Sequence, residues 1–438
     1  MTSLLLTGGR VLDPASGFDA TADVLVENGR IAAISTKRGA LRRDDAATGQ
    51  TIDCAGRLVT PGLIDPHVHI REPGGEAKET ILTGATAAVR GGFTTVCCMP
   101  NTSPALDTAA MLDFVRMRAR EADQSRVFVV GAATVGRQGE QLAPMGAMRA
   151  AGAVAFSDDG DGIASAEMMR RILCVCRSLD SAFMQHCQEP SLTVGGVMNA
   201  GPLAARLGLG GWPAVAEEVM IERDLRLNRS IGCRYHAQHL SSGGSAEILR
   251  RARAEGQPVS GEVAPHHLLM TEDDCDGYNT QAKMNPPLRT RSHIAQLKEA
   301  VADGTITVLA TDHAPHTTAE KARDFSSAPF GIIGLECALP LYVKALVADG
   351  VIDWPRMIAM MTIEPARLCA FPTMRGYESL GTLTVGGRAD ITVIDETAKW
   401  TIDTKGFASK SRNCPFDGWP VVGRATHTIV RGVVKHAL

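Results

Sequence analysis

The stretch Pro61-Gly62-Leu63-Ile64-Asp65-Pro66-His67-Val68-His69-Ile70-Arg71 reads as a buried strand that ends in a metal grip. Leu63 and Ile64 supply the apolar run. His67 and His69 are two apart, and because side chains alternate across a strand, both imidazoles leave one face and can converge on one ion. Arg71 follows at the same spacing and points the same way. A permanently charged fork beside two neutral nitrogen donors suits a site that takes a metal and an anionic substrate together. Alone, a His-x-His is a weak signal, and two satisfied strand-end histidines is the bland alternative. What completes the coordination decides between them.

Outward from this strand, after Thr60, the sequence repeats one texture: a short apolar run, a polar residue at its end, then a stretch of helical periodicity. Eight such runs begin near Leu63 and continue at Thr94 to Met99, Val127 to Ala132, Val154 to Phe156, Phe183 to Gln185, Tyr235 to Gln238, Val259 to Val263 and Val308 to Thr311. Eight strand-helix units predict an α/β fold, a (β/α)8 TIM-like barrel, whose chemistry sits at the C-terminal strand ends. Those ends are His67 and His69, Asn101, Asp158, His186, His239, His266 or His267, and Asp312.

The flanks differ. Leu4 to Ser35 alternates short β-rich runs with turns, and the same texture returns after about Ala370, in Gly381 to Asp395 and Thr426 to Val434. Neither flank can stand alone, so the two are expected to pair into a small discontinuous β-sandwich. The expected division is 1–56 and 371–438 for the sandwich and 57–370 for the barrel. Arg42 to Thr51, polar and charged, reads as an exposed loop.

A chain of 438 residues can bury a large core, and its net charge of -3 without a basic stripe argues against nucleic acid or a membrane surface as partner. The 11 cysteines sit mostly in apolar runs, which favours reduced core thiols. Leu4-Leu5-Leu6 is too short for a signal or spanning helix, and a cytoplasmic location is expected.

His67, His69, His186 and His239 with Asp158 and Asp312 make six candidate metal ligands. That exceeds one tetrahedral zinc and suits a pair of divalent ions sharing a bridging carboxylate and hydroxide. Asp312, at the end of the last strand, is placed to act as general acid/base, taking a proton as the metal-bound hydroxide attacks a carbonyl carbon and passing it to the departing nitrogen.

At this point the residues resemble a known family. The Pro61 to His69 motif, Thr311-Asp312-His313-Ala-Pro-His316 and Gly-Arg-Ala-Asp390 are similar to the amidohydrolase superfamily. His69-Ile-Arg71-Glu-Pro-Gly, Met99-Pro-Asn101-Thr, Phe156-Ser-Asp158-Asp159-Gly160, Gln185-His186-Cys-Gln-Glu189, Lys283-Met-Asn285-Pro-Pro-Leu-Arg289 and Ala328-Pro-Phe330-Gly331 resemble, in order, dihydroorotases of the long, class I type. The resemblance implies reversible cyclisation of N-carbamoyl-L-aspartate to L-dihydroorotate in pyrimidine biosynthesis, with one or two zinc ions. It implies that Arg71, Asn101 and His316 grip the substrate carboxylate, and that Asn285 and the backbone at Phe330 and Gly331 hold ring atoms. A homo-oligomer, a dimer in the simplest case, is expected, and a complex with aspartate carbamoyltransferase is compatible with the consecutive reactions.

Many relatives bridge their metals with a carbamylated lysine, but no lysine lies between Lys78 and Lys283, so an aspartate must replace it. Asp158 is preferred as the first after the strand, with Asp159 and Asp161 as competitors. A hydantoinase, dihydropyrimidinase or allantoinase is disfavoured by that missing lysine and by Arg71 with Asn101. A silent barrel serving as scaffold is disfavoured because all six ligand positions are filled. His236 is read as core packing and His313 as structural, and no vacancy in the metal shell requires His266 or His267, for which a supporting place behind the ligands is the lesser alternative. Cys187 lacks a dedicated base, and His293, His427 and His436 are read as surface or sandwich residues.

Overall fold

The computed structural model describes residues 2–42 and 48–438. Eight parallel strands follow one another around the barrel: β1 Leu63–Val68, β2 Phe93–Cys98, β3 Arg126–Gly131, β4 Ala153–Phe156, β5 Ala182–Gln185, β6 Arg234–Ala237, β7 Val259–Val263 and β8 Val308–Leu309. Each run read from the sequence is one of them. The ring closes where the His69 amide donates to the His313 carbonyl at 2.8 Å, beside a parallel bridge from Val68 to His313. β8 is shorter than its apolar run because the Thr311 amide and hydroxyl turn to the Asp65 carboxylate instead of a neighbouring strand.

Helices cover the outside because their sequences carry both a start signal and an apolar stripe. Ile81–Arg90 starts on a capping box at Thr80 and buries Ile81, Ala85, Ala88 and Val89 against the strands. Ala109–Ala122, Ala166–Ser178 and Gly243–Ala254 likewise begin at Thr108, Ser165 and Ser242, whose hydroxyls accept from the first-turn amides.

Both flanks share one mixed eight-stranded sheet. Ile391–Thr401 pairs antiparallel with Leu58–Pro61, which runs parallel to Thr2–Asp13, so the ends of the chain meet directly. The sheet encloses its own core of Leu4, Leu6, Val11, Val24, Ile31, Val59, Ile391, Val393 and Ile429. Thr2–Asp13 changes neighbour midway, from Thr48–Asp53 to Leu58–Pro61, at a bulge between Leu6 and Gly9. A side chain on Gly9 would strike Val59 at 2.6 Å and Cys54 at 2.8 Å, so the crossing needs glycine there.

The reading of Arg42 to Thr51 as a loop is corrected in part. Residues 43–47 lie outside the described residues, but Thr48–Asp53 is a strand parallel to Thr2–Thr7. Its only buried residue from 49 to 53 is Ile52, so backbone pairing sets its conformation and the usual apolar alternation is missing. The sheet is tied to the barrel by a buried fork: Arg126 Nε and Nη2 donate to Asp390 at 3.0 and 3.3 Å, and the Arg431 amide donates to the same carboxylate. This is the work of the aspartate in Gly-Arg-Ala-Asp390.

Candidate active site

The C-terminal strand ends gather the predicted side chains at one mouth. His69 Nε2 lies 2.9 Å from Asp312 Oδ1, and His67 Nε2 is 3.5 Å from the same oxygen, which brings the first and last strands together. His186 Nδ1 and His239 Nε2 are 2.8 Å apart on the far side. Arg71, His239 and Asp312 all have positive φ, at 57°, 29° and 47°. Non-glycine residues adopt such backbone only where the surroundings impose it, and functional sites are where it clusters.

Between the two histidine pairs stands Asp159, not Asp158. Asp159 Oδ1 is 3.4 Å from His67 Nε2, 3.5 Å from His186 Nδ1 and 3.6 Å from His239 Nε2, while Oδ2 is 3.4 Å from His69 Nε2. Asp158 points away: its Oδ1 accepts from the Ala133 and Thr134 amides at 2.8 and 3.1 Å, and its Oδ2 takes the Thr134 hydroxyl. The preference for Asp158 is therefore corrected. Ser157 shows why, since its hydroxyl reaches Gln238 at 3.1 Å inside the barrel and alternation then carries Asp159, two residues on, to the same face. Ala153-Val-Ala-Phe156 holds no polar residue that would reveal this parity from sequence.

Burial would push the Asp159 carboxyl up, but His67, His186 and His239 together hold it well below the usual carboxylate range. Asp312 is lowered in the same way: burial opposes, and His67, His69 and His239 outweigh it. Both are carboxylates at neutral pH. Among the described residues, His67 Nε2, His239 Nδ1 and Asp159 Oδ1 are buried without a hydrogen-bond partner, which leaves them able to take an ion. His67, His69 and Asp312 form one donor group, and His67, Asp159 and His239 another, each within 4.8 Å. Two imidazoles and a carboxylate in each suit a borderline divalent metal.

Behind the donors lies a residue the sequence reading missed. Glu262, in the middle of β7, accepts from His67 Nδ1 at 2.5 Å, from His236 Nε2 at 3.0 Å and from the His239 amide at 3.2 Å. His236 is thus buried as expected, but as part of a polar chain that ends on Ser260 Oγ. A charged residue inside an otherwise apolar barrel strand was the available signal. His266 and His267 are buried near the centre without joining it, and His267 Nε2 is bonded to the Pro286 carbonyl at 3.0 Å. His313 is fixed by the Gly334 amide and Glu79. Cys187 is buried with its Sγ donating to the Gln185 carbonyl at 3.3 Å, and burial pushes its thiol far up, which disfavours a thiolate nucleophile.

In front of the donors is a cavity of about 380 Å³ lined by His69, His186, His239 and Asp312 together with Arg71, Asn101, Asn285, His316, Phe330 and Gly331. Arg71 Nε donates to the Pro315 carbonyl at 3.2 Å and Nη2 lies 3.4 Å from His316 Nε2. Burial and then Arg71 push His316 down to about 2, so it is neutral. Asn101 Oδ1 lies 2.9 Å from His69 Nδ1, which sets that ring with Nε2 toward Asp312. Asn285 shares Gln188 with His186. Gly331, at φ 146°, has no room for a side chain, which would meet the Ala314 carbonyl at 2.7 Å and His316 at 2.8 Å. Arg137, unpredicted, completes the wall with an ion pair to Asp161.

Residues 56–245 match the model of the family described as dihydro-orotase-like. The dihydroorotase of Syntrophotalea carbinolica is 47% identical over 435 residues, covering 99% of each chain. The chain belongs to the dihydroorotase family. The dihydroorotase of Pelotomaculum thermopropionicum is 46% identical over 98% of each chain. Among solved structures, the L-hydantoinase of Arthrobacter aurescens superposes with a TM-score of 0.87 at 28% identity, covering 100% of this chain and 96% of that one. Within the dihydroorotase family fold, the donors above sit where a metal-dependent hydrolase of cyclic amides needs them. No helix among the described residues is long and apolar enough to cross a membrane.

Proposed function

We propose that the protein interconverts N-carbamoyl-L-aspartate and L-dihydroorotate as a zinc-dependent dihydroorotase. The supporting observation is one cavity lined both by Arg71, neutral His316 and Asn101, which suit a carboxylate, and by the carboxylate of Asp312 with its histidines. His67, His69 and Asp312 would hold one ion and His186 and His239 the other, with Asp159 between them in place of the carbamylated lysine. Bound there, divalent zinc supplies Lewis-acid polarisation and makes water acidic enough to react near neutral pH.

The chain's own residues do the rest. Arg71 presents a fork of N–H donors to the ring carboxylate, and Asn101 adds its amide, so the ring is oriented before reaction. Asp312, held ionised, accepts the proton from water as its oxygen bonds to the ring carbonyl carbon. The carbon–nitrogen bond then breaks, and Asp312 returns that proton to the departing ureido nitrogen. Cyclisation is the reverse.

The deciding experiment measures bound metal per chain and dihydroorotate hydrolysis for the wild type, Asp158→Ala and Asp159→Ala. Loss of metal and turnover in Asp159→Ala alone is expected. Hydrolysis of hydantoin or allantoin without action on dihydroorotate would overturn the substrate. A dimer, a complex with aspartate carbamoyltransferase and the cytoplasmic location belong to the same proposal, as does the division into 1–56, 57–370 and 371–438. Light scattering with and without the transferase tests the first two.

A further inference from the structure

Outside the metal centre, two lysines are almost completely buried, and neither has an ion pair among the described residues. Lys283 Nζ donates to the carbonyls of Phe325 (2.6 Å), Ser326 (3.0 Å) and Ala328 (2.6 Å). Lys321 Nζ donates to those of Pro329 (3.0 Å), Gly331 (3.1 Å) and Lys283 (3.4 Å). An ammonium has three donors, and both groups use all of them. Most of the carbonyls from Phe325 to Gly331 therefore point at two lysine amines, and this cage of acceptors favours the ammonium form against the burial that lowers Lys283 to about 8 and Lys321 to about 7. Burying a cation is costly without a partner, so this pair is not what packing alone selects.

The loop they gather has no regular secondary structure from residue 322 to 331, yet its last three residues line the substrate cavity. The Lys283 ammonium also lies 4.5 Å from the Phe330 ring centre, and Trp212 meets that ring edge-on at 6.0 Å. The Gly331 amide donates to the Lys283 carbonyl at 3.0 Å. A planar trans peptide aims its N–H opposite to its carbonyl, so fixing the Pro329 carbonyl on Lys321 turns the Phe330 amide to the other side.

We propose that Lys283 and Lys321 are positioning residues for the substrate: their ammonium groups collect the carbonyls of residues 325–331 and so hold the backbone of Phe330 and Gly331 in place at the cavity wall before substrate arrives. The proposal rests on the reading of this cavity as the dihydroorotate site. Neither lysine touches the reacting atoms, so losing one raises KM and leaves kcat in place.

Lys283→Met and Lys321→Met are compared with the wild type and with Lys298→Met, a half-buried lysine paired with exposed Asp349 away from the cavity. Dihydroorotate kinetics and hydrogen exchange of the metal-loaded, substrate-free protein are measured. KM is expected to rise about tenfold or more with kcat held, and exchange to quicken in residues 322–334 only. An unchanged KM, or faster exchange spread evenly over the barrel strands, overturns the clamp. Should both variants fail to fold, the wild type decides alone: residues 325–331 must be protected before substrate is added, and a loop protected only by substrate overturns the proposal. Absence of dihydroorotate turnover by the wild type would instead remove the substrate reading and leave the exchange result to judge the clamp.

Discussion

The Nδ1 of His67 lies 2.5 Å from Oε1 of Glu262, with both side chains fully buried. One carboxylate thereby fixes a candidate ligand from β1 and, through the His239 amide, the turn that carries another after β6. Burial would raise Glu262, but His67 and His236 hold it down to about 2. A permanent acceptor at Nδ1 keeps the proton there and leaves Nε2 free for metal.

Glu262→Gln removes that charge at nearly constant volume, and its amide cannot accept from both His67 and His236. Metal affinity is expected to fall about 10- to 100-fold, read by competition with a chelator of known affinity. An unchanged affinity would show that His67 is oriented by something else.

Asp158 and Asp159 are adjacent and both buried, yet their removal should differ in kind. Asp158→Asn leaves the Ala133 and Thr134 donors poorly matched, costing about 1–3 kcal/mol of stability with metal retained. Asp159→Asn should keep the melting temperature of the apo protein and lose metal. Thermal melts and metal content on the same samples separate the two, and metal loss from Asp158→Asn alone would restore it as the ligand.

How far the sequence reached follows from where polar residues sit. The barrel was legible because each strand is a short apolar run ending in a polar residue, and most of the candidate ligands are those end residues. His67 and His69 carry their own parity, being two apart on one strand. The fourth strand carries none, so Asp158 was preferred until Ser157 and Gln238 revealed the inward face. Glu262 is masked in the sequence because His266 and His267, just past β7, carry the stronger metal-ligand signal. Thr48–Asp53 escaped because pairing with Thr2–Thr7, rather than side-chain pattern, makes it a strand.

Glu336 supplies a pH dependence away from the site. Burial pushes its carboxyl up to about 7 from 4.5, against the amides of Ala408 and Ser409 that favour its charge. A raised acid binds more protons folded than unfolded between those values, so stability falls as pH rises through that window. The cost above it is on the order of 3 kcal/mol, at about 1.4 kcal/mol per unit. Glu336→Gln should match the wild type near pH 4.5 and melt higher at pH 8. A pH-independent difference between the two proteins would rule this out.

Arg71 remains charged at neutral pH, since burial lowers its guanidinium only to about 10. Its fork is anchored through Nε to Pro315 and lies against neutral His316, which cannot compete for an anion by charge. Lysine would keep the charge and lose the paired donors. A charge-assisted bond of about 1.5–3 kcal/mol corresponds to about 10- to 100-fold in kcat/KM for dihydroorotate in Arg71→Lys. Dihydrouracil, the same ring without the carboxylate, is the control, because loss of a residue that reads only the carboxylate leaves the rate on that ring unchanged. Equal losses on both rings would mean that Arg71 holds the loop at Pro315 and does not recognise the acid.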